Sequence, residues 1–283
     1  MSTPTTESPD RPSSISTERD SIANSGGQLS PLARWLKKVP PAGGDALLWC
    51  HTTDSYSFDE ILSSNSLVPQ PCPVFKEDLS YLFYGRPAYR VTDDAPISID
   101  ANAPVVLLLG SNLIEQAERV FPFDSGAFAA GRYSKWLNKR MKLSQFNVET
   151  NGGTPRKLVT AFFRDTERYF SCLASNPDIP YGGEHIVDSL VRILSDPDTK
   201  AADDRRLAFE MQVKSPIPLN STYIQAIILP RVWQGTDAIK AFTLINPTVK
   251  LDFYTLHHQK APREYQMLFE DRSERLHRDL GLL

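Results

Sequence analysis

Cysteine is scarce in this 283-residue chain: Cys50, Cys72 and Cys172 are all there is, and none is spaced as C-x-x-C. An odd number without that spacing excludes a disulfide framework and a four-cysteine zinc site, and it fits a reducing, cytoplasmic setting. Long apolar runs are missing too. The strongest, residues 105–109, is far short of the roughly 20 residues a membrane helix needs, so it reads as a buried strand and no membrane partner is expected. Charge of one sign is also lacking. A formal net charge of −3 gives the whole chain no pull toward nucleic acid or an anionic membrane, and leaves room only for a local basic groove. Neither G-x-G-x-x-G nor G-x-x-x-x-G-K occurs, which removes the two common phosphate-cradling loops, and no internal repeat is visible.

What is present is an ordinary globular balance, with 41% hydrophobic and 23% charged residues. Residues 1–29 are the exception. Rich in Ser, Thr, Pro and Asp without an apolar segment, they predict a disordered polar tail that is neither signal peptide nor anchor. Residues 30–283 suffice for one domain with a continuous core. Residues 31–38 place Leu32, Trp35 and Leu36 on one helical stripe. A buried strand at 45–53 and a short helix at 57–64, with Ser57 as cap, follow. Strands at 81–84 and 104–110 make the first third β-rich, and the Gly85-Arg-Pro87 turn ends the first of them. Apolar spacing then predicts helices at 128–142, at 155–174 with Leu158, Phe162, Tyr169 and Leu173 on one face, and at 184–194. Strands return at 207–213, 223–229, 242–245 and 249–256, before a last helix at 263–280. Strands at both ends around a helical middle predict an α+β fold and not a doubly wound one.

Three constellations carry chemistry. His51-Thr52-Thr53 ends an apolar strand, where the histidine is either satisfied locally or offered to a ligand. Tyr81-Leu-Phe-Tyr-Gly-Arg-Pro-Ala-Tyr-Arg90 combines ring faces with a guanidinium fork suited to phosphate, or else is an aromatic patch under a snorkelling arginine. Glu210 interrupts an apolar strand, where a carboxylate must be paired, face a cleft, or sit on a solvated edge with Ala208 and Gln212.

As a set, His-x-Thr on an early strand, the aromatic-rich Tyr-Gly-Arg-Pro turn and a glutamate in a late strand followed by Ala226-Ile-Ile-Leu-Pro230 resemble the ADP-ribosyltransferase superfamily. The nearest likeness is to the DarT-type DNA ADP-ribosyltransferase toxins. The resemblance implies a split β-sheet core forming an NAD cleft, with residues 128–194 as a helical insertion that departs from the family pattern. It implies Glu210 and Arg86 as catalytic residues, with Arg86 at the pyrophosphate or acceptor, and His51, Thr52, Tyr84 and Tyr89 as cofactor-binding residues, with no metal. NAD would be the co-substrate, a nucleic acid or other macromolecule the acceptor, and an antitoxin or immunity protein a partner in a toxin or phage-defence setting. The same fold also serves NAD hydrolases, RNA 2′-phosphotransferases and non-catalytic NAD-binding domains.

Overall fold

The computed structural model describes residues 29–40, 43–88, 95–196 and 205–283. The tail through residue 28, and Tyr89, lie outside them. In chain order, α1 (Pro31–Leu36), β1 (Trp49–Asp54), α2 (Ser55–Ser64), β2 (Ser66–Leu67), β3 (Gln70–Cys72), β4 (Glu77–Tyr84), β5 (Pro104–Leu109) and β6 (Ala117–Phe121) come first. A helical middle follows, made of α3 (Ser125–Ala129), α4 (Thr154–Phe163), α5 (Thr166–Phe170) and α6 (His185–Ser195). Then come β7 (Glu210–Val213), β8 (Ile217–Pro218), β9 (Ile224–Pro230), α7 (Asp237–Ile245), β10 (Lys250–Tyr254) and α8 (Gln266–Asp279). The fold is therefore mixed, an open and mostly antiparallel sheet with helices packed on it. No helix among the described residues is long and apolar enough to cross a membrane.

The main sheet runs β10-β9-β5-β1-β4-β7-β6, with β3 added to β4, and β2 pairs with β8 apart from it. Among the described strands only β9 and β10 run parallel. That pair needs a crossover, and α7 provides it, which is why residues 242–245 are helical and not the strand their composition predicts. Thr236 caps α7 by accepting from Ile239 N, while Ile239 and Phe242 turn inward and leave Leu244 84% and Ile245 75% exposed.

One junction in the sheet is narrow. β1 pairs with β5 along its whole length, from Trp49↔Leu109 to Asp54↔Pro104, but meets β4 only at Trp49↔Tyr84 and Cys50↔Phe83. Beyond Cys50 the two strands part, and β4 turns to β3 through Leu79, Asp78 and Glu77. A wedge is left between two lobes of the sheet.

Apolar residues explain both faces. Val105, Leu107 and Leu109 join Trp49, Tyr84, Met211 and Leu229 beneath α1, α2 and the helical middle. Val106 and Leu108 point the other way, with Cys50, Ile228 and Tyr254, under Tyr265, Phe269 and Leu276 of α8 and the turn before it. A strand covered on both sides reads as an unbroken apolar run, which accounts for residues 105–109. Burying Phe269 fully contributes about 1.5–3 kcal/mol to the docking of α8.

Local chemistry corrects three boundaries. Asp54, not Ser57, caps α2, its carboxylate accepting from Ser57 N at 2.7 Å. The helix predicted at 128–142 shrinks to α3, because Gly131 turns the chain at φ +74°. The stretch 155–174 breaks into α4 and α5 at Arg164, whose φ is +75°, so Leu173 leaves the shared face and is 51% exposed.

Helix α8 presents a polar stripe, Gln266, Glu270, Ser273 and His277, at three- and four-residue spacing, and clasps the turn after β4 with it. Gln266 Nε2 donates to Pro87 O at 2.6 Å, Glu270 Oε1 accepts from Arg86 Nη2 at 2.7 Å, and Ser273 Oγ donates to Gly85 O at 2.8 Å. Gly85 is required there: its φ is +66°, and a Cβ would come within 2.6 Å of Leu47 Cδ1. His277 ends the stripe. Its Nδ1–H donates to Ser273 O at 2.7 Å while Nε2 accepts from Leu48 N at 2.9 Å, so only the neutral ring fits.

Burial brings the His277 pKa down to about 4 from an ordinary 6.5. A depressed histidine contributes stability that is complete above pH 6.5 and lost as pH falls toward 4, here worth about 3 kcal/mol. The melting temperature of the wild type should therefore fall across that window, and His277→Gln should flatten the fall. An unchanged acid slope in the variant would show that another group controls it.

Candidate active site

The wedge between β1 and β4 is a cavity of about 640 Å³, a size typical of small-molecule sites. One lip is His51, Thr52 and Thr53 of β1, and the other is Ser80, Tyr81 and Phe83 of β4. Asp124, Arg205 and Glu210 line it from the β7 side. His51 spans the gap where backbone pairing stops, its Nδ1 lying 2.9 Å from Tyr81 O. A carbonyl can only accept, so Nδ1 carries the hydrogen and Nε2 is an acceptor. Burial holds His51 below the ordinary imidazole range, which keeps the ring neutral. Beside it, the buried Thr52 Oγ1 has no hydrogen-bond partner. Tyr81 also ties β3 in place, its hydroxyl 2.6 Å from Cys72 Sγ.

Glu210 opens β7, which lies between β4 and β6, so the strand has no solvated edge and the side chain is 1% exposed. Register puts it opposite Phe83 on one neighbour and Phe121 on the other. Three donors converge on its carboxylate. Ser125 N reaches Oε2 at 2.9 Å, and Ser125 Oγ and Gln212 Nε2 reach Oε1 at 2.6 and 2.7 Å. Every one of them favours the ionised form. Burial first, and then the nearby Asp124 carboxylate, push the other way and leave Glu210 above the ordinary carboxylate range. Asp124 is itself anchored twice, capping α3 through Ala127 N at 2.6 Å and pairing with Arg205 Nη1 at 3.0 Å. Arg205 is the one Arg or Lys side chain lining the cavity among the described residues.

The structure brings His51, Thr52 and Glu210 together at this cavity. Arg86 and Tyr84 are not brought there. Strand alternation turns Tyr84 to the face opposite Tyr81 and Phe83, where its hydroxyl accepts from Leu47 N at 2.9 Å and its ring meets Trp49 edge-on. Arg86, expected at the pyrophosphate or acceptor, is 1% exposed, held by Glu270 and by Leu207 O, and absent from the cavity wall. Tyr89 lies outside the described residues.

Reasoning from the sequence assigned no site role to Asp124, Ser125, Arg205 or Gln212, and held Tyr81 only as part of the aromatic-rich stretch. Gln212 carried a usable signal, since it alternates onto the face of Glu210. Ser125 carried none beyond its place at the threshold of the insertion, because its partner lies 85 residues away. No group of three or more His, Cys, Asp or Glu side chains placed to hold a metal occurs among the described residues. No protein-family model, curated protein or solved structure matches the chain.

Proposed function

We propose that the chain is an NAD-dependent ADP-ribosyltransferase with the split-sheet architecture of that superfamily, and that its cavity binds NAD. The observation that carries this reading is the wedge itself: a neutral histidine and an orphan threonine hydroxyl belong to one lip of a cavity whose opposite side holds a buried glutamate gripped by three donors. A ribose has a hydroxyl to give to His51 Nε2, with Thr52 in support beside it. The dinucleotide supplies a ribose carbon whose bond to nicotinamide breaks with both electrons leaving on the ring nitrogen. Positive charge then develops beside Glu210, whose own side chain is buried from water. The acceptor attacks that carbon, its proton passes to the Glu210 carboxylate, and from there to solvent. Arg205, the guanidinium at the wall, faces the phosphates in this reading. The acceptor is a macromolecule, with nucleic acid the first choice, and an antitoxin or immunity protein would be the natural partner.

Nicotinamide release from NAD, measured with and without DNA, RNA or protein acceptors, is the direct test. Loss of NAD independent of any acceptor would reassign the protein as a hydrolase, and tight NAD binding without turnover as a binding module. His51→Ala should weaken NAD binding by about tenfold, the scale of one hydrogen bond. Unaltered affinity in a folded His51→Ala protein would remove His51 from the binding site.

A further inference from the structure

Gln212 is fully buried beside Glu210, and its amide must turn one end or the other toward the carboxylate. Arg119 decides which. A guanidinium only donates, so Arg119 Nη1, at 3.2 Å, has to meet the amide oxygen of Gln212. The NH2 end is left facing Glu210 Oε1 at 2.7 Å and Ser125 Oγ at 3.0 Å. Arg119 is held firmly in turn. Both of its terminal nitrogens bond Glu77, its guanidinium lies 4.8 Å from the centre of the Phe75 ring, and Lys214 bridges Glu77 and Glu118 at 3.3 and 3.0 Å.

We propose that Arg119 is a positioning residue for Glu210: acting through Gln212, it commits a hydrogen-bond donor to the carboxylate and so sets the pH range in which Glu210 is ionised. As a statement about catalysis this rests on Glu210 being the catalytic carboxylate. As a statement about ionisation it stands on the hydrogen bonds alone. The other titratable and charged groups around Glu210 are His51 of β1 on the opposite lip of the cavity, Asp124 before α3, Arg205 before β7, and Tyr81 on β4 with Cys72 behind it. None of them bonds Gln212, so none can replace Arg119 in holding the amide.

Without Arg119 the amide is free to turn over. Its oxygen would then face Glu210, repel the ionised carboxylate and accept from the protonated one. Carbon-13 NMR titration of glutamate-labelled protein reads this directly. Arg119→Met should raise the Glu210 midpoint by about one pH unit, the size of a lost charge-assisted hydrogen bond. Gln212→Met should raise it as much. The double variant should go no higher than Gln212→Met alone, because Arg119 acts through that amide. Should Arg119→Met fail to fold, Arg119→Lys decides. It keeps a charge toward Glu77, yet one ammonium cannot reproduce the fork that holds Glu77 and Gln212 together, so a rise is expected again. A folded Arg119 variant that titrates like the wild type overturns the proposal, and so do shifts that add in the double variant. The titration needs no substrate. A wild type that releases no nicotinamide would therefore sink the catalytic reading and leave the coupling of Arg119 to Glu210 to be judged by its own result.

Discussion

Glu210→Gln is expected to fold, to bind NAD nearly as well as the wild type, and to lose on the order of 10²–10³ in the rate of nicotinamide release. The amide is isosteric, and in the ground state little charge on the ribose needs an answer. In the proposed role the carboxylate acts on charge that appears only in the transition state, so its loss should fall on kcat and spare affinity. Acidity gives a second signature. Because burial and Asp124 raise the Glu210 pKa, the wild-type rate should keep climbing with pH above the ordinary carboxylate range. Stability runs the opposite way. A raised carboxylate pKa contributes stability that is complete below about pH 4.5 and lost as pH rises through the folded value, so Glu210→Gln should gain on the wild type in alkaline buffer. Wild-type turnover in a folded Glu210→Gln protein would end the catalytic assignment.

The second large effect is on stability. Glu270→Ala removes the carboxylate that neutralises Arg86, and a guanidinium left buried without its partner costs about 3–5 kcal/mol. For a domain of this size that is a fall of roughly 10 °C in melting temperature. Arg86→Met combined with Glu270→Leu should recover most of it, since an apolar pair leaves no charge to desolvate. NAD affinity should follow neither change. If instead Arg86→Met weakens NAD binding while melting stays put, Arg86 belongs to the cavity after all and the clasp is incidental.

Legibility from the sequence tracked how local each cause was. The buried strand at 105–109 and the helix at 31–36 were readable because composition and period sufficed. The α7 helix was not, because its identity follows from the need to join two parallel strands, which residues 242–245 do not announce. His51 and Glu210 stood out as polar residues inside apolar strands, and both reached the cavity. Arg86 stood out as a guanidinium fork in an aromatic-rich turn and lies elsewhere, since such a fork serves a glutamate on α8 as readily as a phosphate. Ser125 and Arg119 depend wholly on pairings made by the fold, β6 against β7 and the insertion folding back, which no local pattern encodes.

Strands β6 and β7 are neighbours in the sheet, yet the whole helical middle is strung between them. Ser125 and Glu210 stand at its two feet, 85 residues apart. During synthesis at about 5–20 residues per second, roughly 4–17 seconds separate the emergence of the two Ser125 donors from that of the carboxylate they hold. The α8 clasp arrives later still. A chain on the ribosome thus displays both lips of the cavity, His51 and Tyr81, well before it owns the acid between them, and the long-range pairing of β7 makes closure slow even then. Under the transferase reading proposed above, the order of translation would keep the nascent polypeptide chemically silent until its last quarter is being made.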